Sequence, residues 1–145
     1  MSEVERAVST YKEGFCCSQA LLSTYGTQFG LDREIALKVA AAFGGGINYM
    51  GETCGAVTGS LMVIGLKCGN TKAKDRKAEK KTYKMTREFV DRFKSRNGSI
   101  RCKDLLGCDI STPEGRELQK KDKLFKTVCP NYVQDAAEII EQILE

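Results

Sequence analysis

The chain has 145 residues, with 23 basic against 19 acidic side chains, a net charge of +4, seven cysteines and no histidine. That length fits a single domain, residues 1–145, able to bury a core without cross-links. The missing histidine excludes Ser-His and Cys-His nucleophile pairs, the usual general base and every mixed Cys/His zinc site, so any chemistry here must run on cysteine.

No apolar run approaches the roughly twenty residues that span a bilayer. The opening Met1-Ser2-Glu3-Val4-Glu5-Arg6 lacks the basic-then-apolar order of a secretory signal. The expectation is a cytoplasmic protein without membrane insertion. Seven cysteines are many for such a chain, since thiols stay reduced there and permanent disulfides are rare, and the enrichment points to redox or metal chemistry. The count is odd, so full pairing within one chain would leave a thiol free.

Proline occurs only at Pro113 and Pro130, and β-branched alternation is absent, so the chain reads as all-α, one bundle of five to seven helices. Residues Ser2 to Lys12 form the first helix, ended by Gly14. Cys17, Leu21 and Tyr25 then follow at i, i+4 and i+8 with Ala20 beside them, turning Cys17 inward. On an ideal helix Cys16 would point about 100° away, so the adjacent pair is not expected to serve one site. Asp32 suits an N-cap, with Ile35, Ala36, Val39, Ala40 and Phe43 as an apolar stripe that ends at Gly44-Gly45-Gly46. The glycines lack the Gly-Lys-Ser/Thr ending and the preceding strand of a nucleotide loop, and a turn near the core is the simpler expectation.

The stretch Gly51 to Gly69 joins a cysteine, spaced glycines and the most apolar run of the chain. Val57, Leu61 and Ile64 recur at helical spacing and put Cys54 in the first helical turn. Unpaired N–H groups and the positive end of the helix dipole there lower a thiol's pKa, and thiolate is the form that attacks disulfides or binds metal. Gly51, Gly55 and Gly59 recur every four residues. Each costs a helix about 1 kcal/mol relative to alanine, so the row implies close approach of another backbone. Cys54 as an ordinary core residue is the bland alternative.

Residues 71–96 carry 11 basic against 4 acidic side chains. Ala78, Thr82, Met85, Phe89 and Phe93 mark a buried face, which leaves the charge on a solvated one. With no recognised nucleic-acid fold or aromatic stacking motif elsewhere, a solvated basic helix is favoured over nucleic-acid or other anionic partners. Asn97-Gly98-Ser99 breaks this helix. Cys102 precedes a short turn between Arg101 and Lys103, whose cations would lower its pKa, and Gly107 leaves Cys108 in a loop within reach of a second thiol. Thr112-Pro113-Glu114 starts a further helix. Cys129-Pro130 opens the last one, with Val133, Ala137, Ile140 and Leu144 along one side.

Cys54, Cys102 and Cys129 are thus each expected at a helix start, with Cys17 near another. In this pattern the sequence resembles the C_GCAxxG_C_C family, chains of about this length that carry a Cys-Gly-Ala-x-x-Gly motif and are named as redox-active for their cysteines. The motif here is Cys54-Gly55-Ala56-Val57-Thr58-Gly59. The other family cysteines resemble Cys17 in Cys17-Ser18-Gln19-Ala20-Leu21, Cys102 in Cys102-Lys103-Asp104-Leu105-Leu106-Gly107, and Cys129 in Cys129-Pro130-x-x-Val133. The resemblance spans most of the chain and implies a redox role for these four positions. Cys16, Cys68 and Cys108 stand outside the pattern.

Three functions follow from the residues. The first is thiol–disulfide chemistry centred on Cys54 with Cys17, Cys102 and Cys129, acting on a redox partner or small oxidant, although the Cys-x-x-Cys of thioredoxin-like proteins is missing. The second is a four-thiolate zinc or iron–sulfur site built from the same cysteines, whose spacings of 37, 48 and 27 residues would have to be closed by the bundle. The third is a non-catalytic binding protein that uses the basic helix 71–96 while its sulfurs lie scattered.

Overall fold

The computed structural model describes residues 1–145 as nine α-helical segments joined by turns, with two short 3-10 turns and no strand. Helix α1 spans Glu3–Lys12, α2 Cys17–Tyr25, α3 Arg33–Ala40, α4 Gly55–Cys68 and α5 Arg76–Asn97. Helices α6 (Cys102–Leu106), α7 (Pro113–Asp122), α8 (Leu124–Thr127) and α9 (Cys129–Leu144) complete the chain. The all-α class expected from the sequence is therefore present, with more helices than five to seven. The surplus comes from residues 99–128, where left-handed Gly107 (φ 73°) and Lys123 (φ 51°) cut the chain into short pieces.

The helix starts follow local chemistry. Ser2 accepts a hydrogen bond from the Glu5 amide while Glu5 reaches back to the Ser2 amide, a reciprocal cap for α1. Asp32 caps α3, Asp75 caps α5 and Thr112 caps α7.

Twenty-six buried residues form one continuous core, in which Tyr25, Phe89 and Phe93 are the largest. Helix α2 lies at its centre. Its neighbours are α4, α3 and α1, while α9 closes the other side against α1, α4 and α5. Along α5, Phe89 and Phe93 are buried and Ala78, Thr82 and Met85 half-buried, as the sequence periodicity indicates. Its lysines face solvent, while Arg96 pairs with Asp135 and Glu138 of α9.

The stripe expected on α3 is only half present. Ala36 and Ala40 are buried, whereas Ile35 and Val39 are 50% and 54% exposed, because α3 has α2 on one side only. No helix is long and apolar enough to cross a membrane.

Candidate functional site

Cys54 is the residue from which the site can be built. It is the N-cap of α4 rather than part of its first turn. No formal capping bond closes on its sulfur, yet the Ala56 and Val57 amides lie near enough to favour a negative charge there. Helix α4 runs 14 residues, so its full dipole end faces the thiol.

The glycines explain how a second sulfur arrives. A methyl group on Gly55 would sit 2.9 Å from the Ser18 amide nitrogen and 3.2 Å from Cys17 Cβ. One on Gly59 would sit 2.8 Å from the Ser18 carbonyl oxygen. Only hydrogen fits at either place, so α2 crosses directly over the start of α4 and sets Cys17 beside Cys54. Gly51 lies outside the helix, in a loop with φ 73°, and packs on the Lys103 side chain instead.

A third sulfur comes from α9. The Cys17 thiol shares the cleft with those of Cys54 and Cys129 and can give its one proton to either. The consequences have opposite signs. Donation and burial push Cys17 well above the ordinary thiol range, whereas receiving that bond draws Cys54 down, aided by the Ala56 and Val57 amides against the cost of burial. Cys129 is likewise drawn down, first by Cys17 and further by the Tyr11 hydroxyl. That hydroxyl also lies 2.6 Å from the Phe125 carbonyl, so the carbonyl and Cys129 compete for its one proton.

Cys102 reaches the same place by another route. The Cys54 amide donates to the Ile100 carbonyl at 2.7 Å and the Cys102 amide donates to the Glu52 carbonyl at 2.6 Å, around an isolated antiparallel bridge between Thr53 and Arg101. This pairing fixes Cys102 beside Cys54. The depressed pKa expected from its flanking cations does not occur. Burial, with the charges of Cys54, Cys129, Cys108 and Asp109 behind it, pushes the Cys102 thiol up to about 12. Lys103 is turned toward Glu52 and Asp109, and Arg101 toward Glu52, so neither cation serves the sulfur.

All four family cysteines line one cleft of about 490 Å³, with Cys17 at 9%, Cys54 at 6%, Cys102 at 7% and Cys129 at 7% exposure. Cys16 lines it as well, contrary to the helical-wheel expectation. It is the N-cap of α2 in extended conformation, so the 100° step between helical neighbours does not apply to it. Its sulfur lies 3.1 Å from Ser18 Oγ. The remaining cysteines are elsewhere. Cys68 donates to the Ile64 carbonyl at 3.3 Å and approaches Met85 Sδ at 3.6 Å, and Cys108 is half-buried outside the cleft.

The triple glycine is a spacer for this site. A methyl on Gly44 would meet Cys16 Cβ at 2.6 Å, and one on Gly46 would meet Cys102 Cβ at 2.6 Å. From Gly45 the backbone runs left-handed through Gly46, Ile47, Asn48 and Tyr49, the last three with φ of 65°, 47° and 60°. Non-glycine residues adopt that region only at a cost of about 1 kcal/mol or more each, and such outliers cluster at functional sites. Here the turn presents Tyr49 to the cleft rim, where its ring meets that of Phe125 at a centroid distance of 6.2 Å.

Sequence reasoning missed the walls. Tyr11, Phe15, Tyr49, Phe125 and Tyr132 line the cleft together with Lys12 and Lys126. They come from four separate stretches of the chain with no common spacing, so only the closed bundle assembles them.

The set Cys17, Cys54, Cys102 and Cys129 is not disposed to hold a single metal ion. No group of three or more cysteine or carboxylate side chains is disposed around a common point as metal ligands would be. All seven cysteines are free thiols, and within the cleft a thiol of raised pKa, Cys17, faces two of lowered pKa, Cys54 and Cys129.

Neither the curated proteins nor the solved structures contain a match to the chain. The family model described as "Putative redox-active protein (C_GCAxxG_C_C)" matches residues 15–143, and the chain belongs to that family.

Proposed function

We propose that the protein carries out thiol–disulfide exchange in this cleft, with Cys54 as attacking thiolate and Cys17 as resolving thiol. The observation that carries the proposal is the close crossing at Gly55, which sets Cys17 beside Cys54 in a cleft that Cys129 also lines, and the raised pKa of Cys17 against the lowered ones of Cys54 and Cys129 agrees with it. A thiolate attacks fastest when its pKa approaches ambient pH, and exchange proceeds through a mixed disulfide. Cys54 sulfur attacks one sulfur of a disulfide R–S–S–R, forming Cys54–S–S–R and expelling RS⁻. The Cys17 proton passes to that leaving thiolate. Cys17 sulfur then attacks Cys54 sulfur, forming the Cys17–Cys54 disulfide and releasing a second RS⁻. Two protein thiols are oxidised and one substrate disulfide is reduced to two thiols.

Cys129, in the same cleft and also of lowered pKa, can take the place of Cys54 as the disulfide partner of Cys17. Cys102, kept protonated beside Cys54, takes no part in the first attack. A reducing compartment such as the cytoplasm would return the pair to the dithiol state.

The test is to trap the intermediate. After addition of a small disulfide, the Cys17→Ser protein should accumulate a mixed disulfide at Cys54, whereas the unaltered protein should release both substrate halves and lose two thiols. A mixed disulfide that persists equally in both proteins would overturn the assignment of Cys17.

A further inference from the structure

The cleft has a chemical character beyond its sulfurs. Its wall is dominated by rings, those of Phe15, Tyr49, Phe125 and Tyr132. Its only charged lining residues are Lys12 and Lys126, both exposed and therefore at the rim, and no carboxylate lines it. Neither lysine takes part in any ion pair of the chain. Two of the tyrosine hydroxyls are already committed, Tyr11 to the Phe125 carbonyl and Tyr132 to the Leu105 carbonyl at 2.7 Å. Among the charged groups, only the two ammonium groups remain to orient a polar substituent. A volume of about 490 Å³ lies within the range of pockets that enclose small molecules, and Cys54 at 6% exposure is out of reach of a disulfide on the surface of a folded protein.

Resting on the exchange chemistry proposed above, we infer that the substrate is a low-molecular-mass disulfide with a flat apolar body and an acidic group, the body lying among the rings and the acid held at the rim by Lys12 and Lys126. Two aromatic walls favour a planar body by offset stacking and edge contact. Placing the anion at the rim also keeps it away from the thiolate that must attack. Two unpaired cations beside a low-dielectric cleft raise the local concentration of an anion and repel a cation.

The experiment measures how fast Cys54 is modified by three disulfides: 5,5′-dithiobis(2-nitrobenzoate), aromatic and anionic; 4,4′-dithiodipyridine, aromatic and neutral; and cystamine, aliphatic and cationic. Each rate is divided by that of 2-mercaptoethanol with the same probe, which removes differences in intrinsic reactivity. The anionic aromatic disulfide should exceed cystamine by about tenfold or more at low salt. The double variant Lys12→Glu with Lys126→Glu should lose about tenfold with the anionic probe and stay within about twofold with dithiodipyridine, the latter reporting an intact fold and thiol. An anionic rate untouched by the two substitutions, or cystamine reacting as fast, would overturn the substrate class and leave the exchange chemistry standing. Failure of dithiodipyridine to modify Cys54 in the unaltered protein would overturn both.

Discussion

Cys54 and Cys102 lie side by side, each at the start of a helix and joined by the same antiparallel bridge, yet their thiols are driven in opposite directions. Cys54 caps a 14-residue helix, has two amides near its sulfur and accepts from Cys17. Cys102 opens a five-residue helix, commits its amide to Glu52 and loses its neighbouring cations to Glu52 and Asp109. A helix start alone therefore does not make a thiolate. Donors aimed at the sulfur do, and without them burial prevails.

The comparison can be broken most severely at Gly59. Gly59→Val drives a branched side chain into the Ser18 backbone, where even one methyl would come within 2.8 Å. We expect a loss of about 3 kcal/mol from overpacking, read as a lower denaturant midpoint, with Cys54 losing its advantage in alkylation as α2 lifts away.

Removing the donor is gentler and more specific. Cys17→Ala should move the pH midpoint of Cys54 alkylation upward and slow the reaction at pH 7, by about tenfold for every pH unit that the midpoint rises. The rate at high pH should change little. An unmoved midpoint would mean that the Ala56 and Val57 amides act alone.

Cys102 offers the opposite pH signature. Its folded pKa of about 12 exceeds the ordinary thiol value of 9.0, so the stability it contributes is fully present below pH 9 and is lost as pH rises toward 12. Thermal melts of Cys102→Ala should therefore fall less steeply than those of the unaltered protein between pH 9 and pH 11, with no gain near pH 7. Cys54, whose folded pKa is lowered, contributes in the reverse sense: its stabilisation is complete above the ordinary thiol pKa and fades as pH drops through the folded value.

The smallest effect belongs to the cysteine outside the cleft. Cys68→Ala removes weak contacts with the Ile64 carbonyl and Met85, and should cost about 1 kcal/mol while leaving the Cys54 alkylation rate unchanged.

Much of this was legible in the sequence, and the boundary has physical causes. Apolar periodicity located the long helices, and the glycine spacing correctly implied a close helix crossing beside Cys54, because both depend on residues near one another in the chain. The fate of Cys16 and Cys102 was not legible. Cys16 takes a non-helical cap conformation, and the cations beside Cys102 find carboxylates 49 and six residues away. The aromatic walls and the two rim lysines of the cleft were hidden for the same reason, since residues 11–15, the left-handed turn, α8 and α9 each contribute one to three of them. The exposed Ile35 and Val39 show the reverse failure, an apolar stripe that local spacing favours and tertiary packing leaves uncovered.

Differential alkylation followed by peptide mass spectrometry tests the exchange site most directly. At pH 7 the fully reduced protein should be labelled first at Cys54, and one equivalent of a small disulfide should then yield a Cys17–Cys54 linked peptide. Preferential labelling of Cys102 or Cys68, or a first disulfide that excludes Cys17, would contradict it.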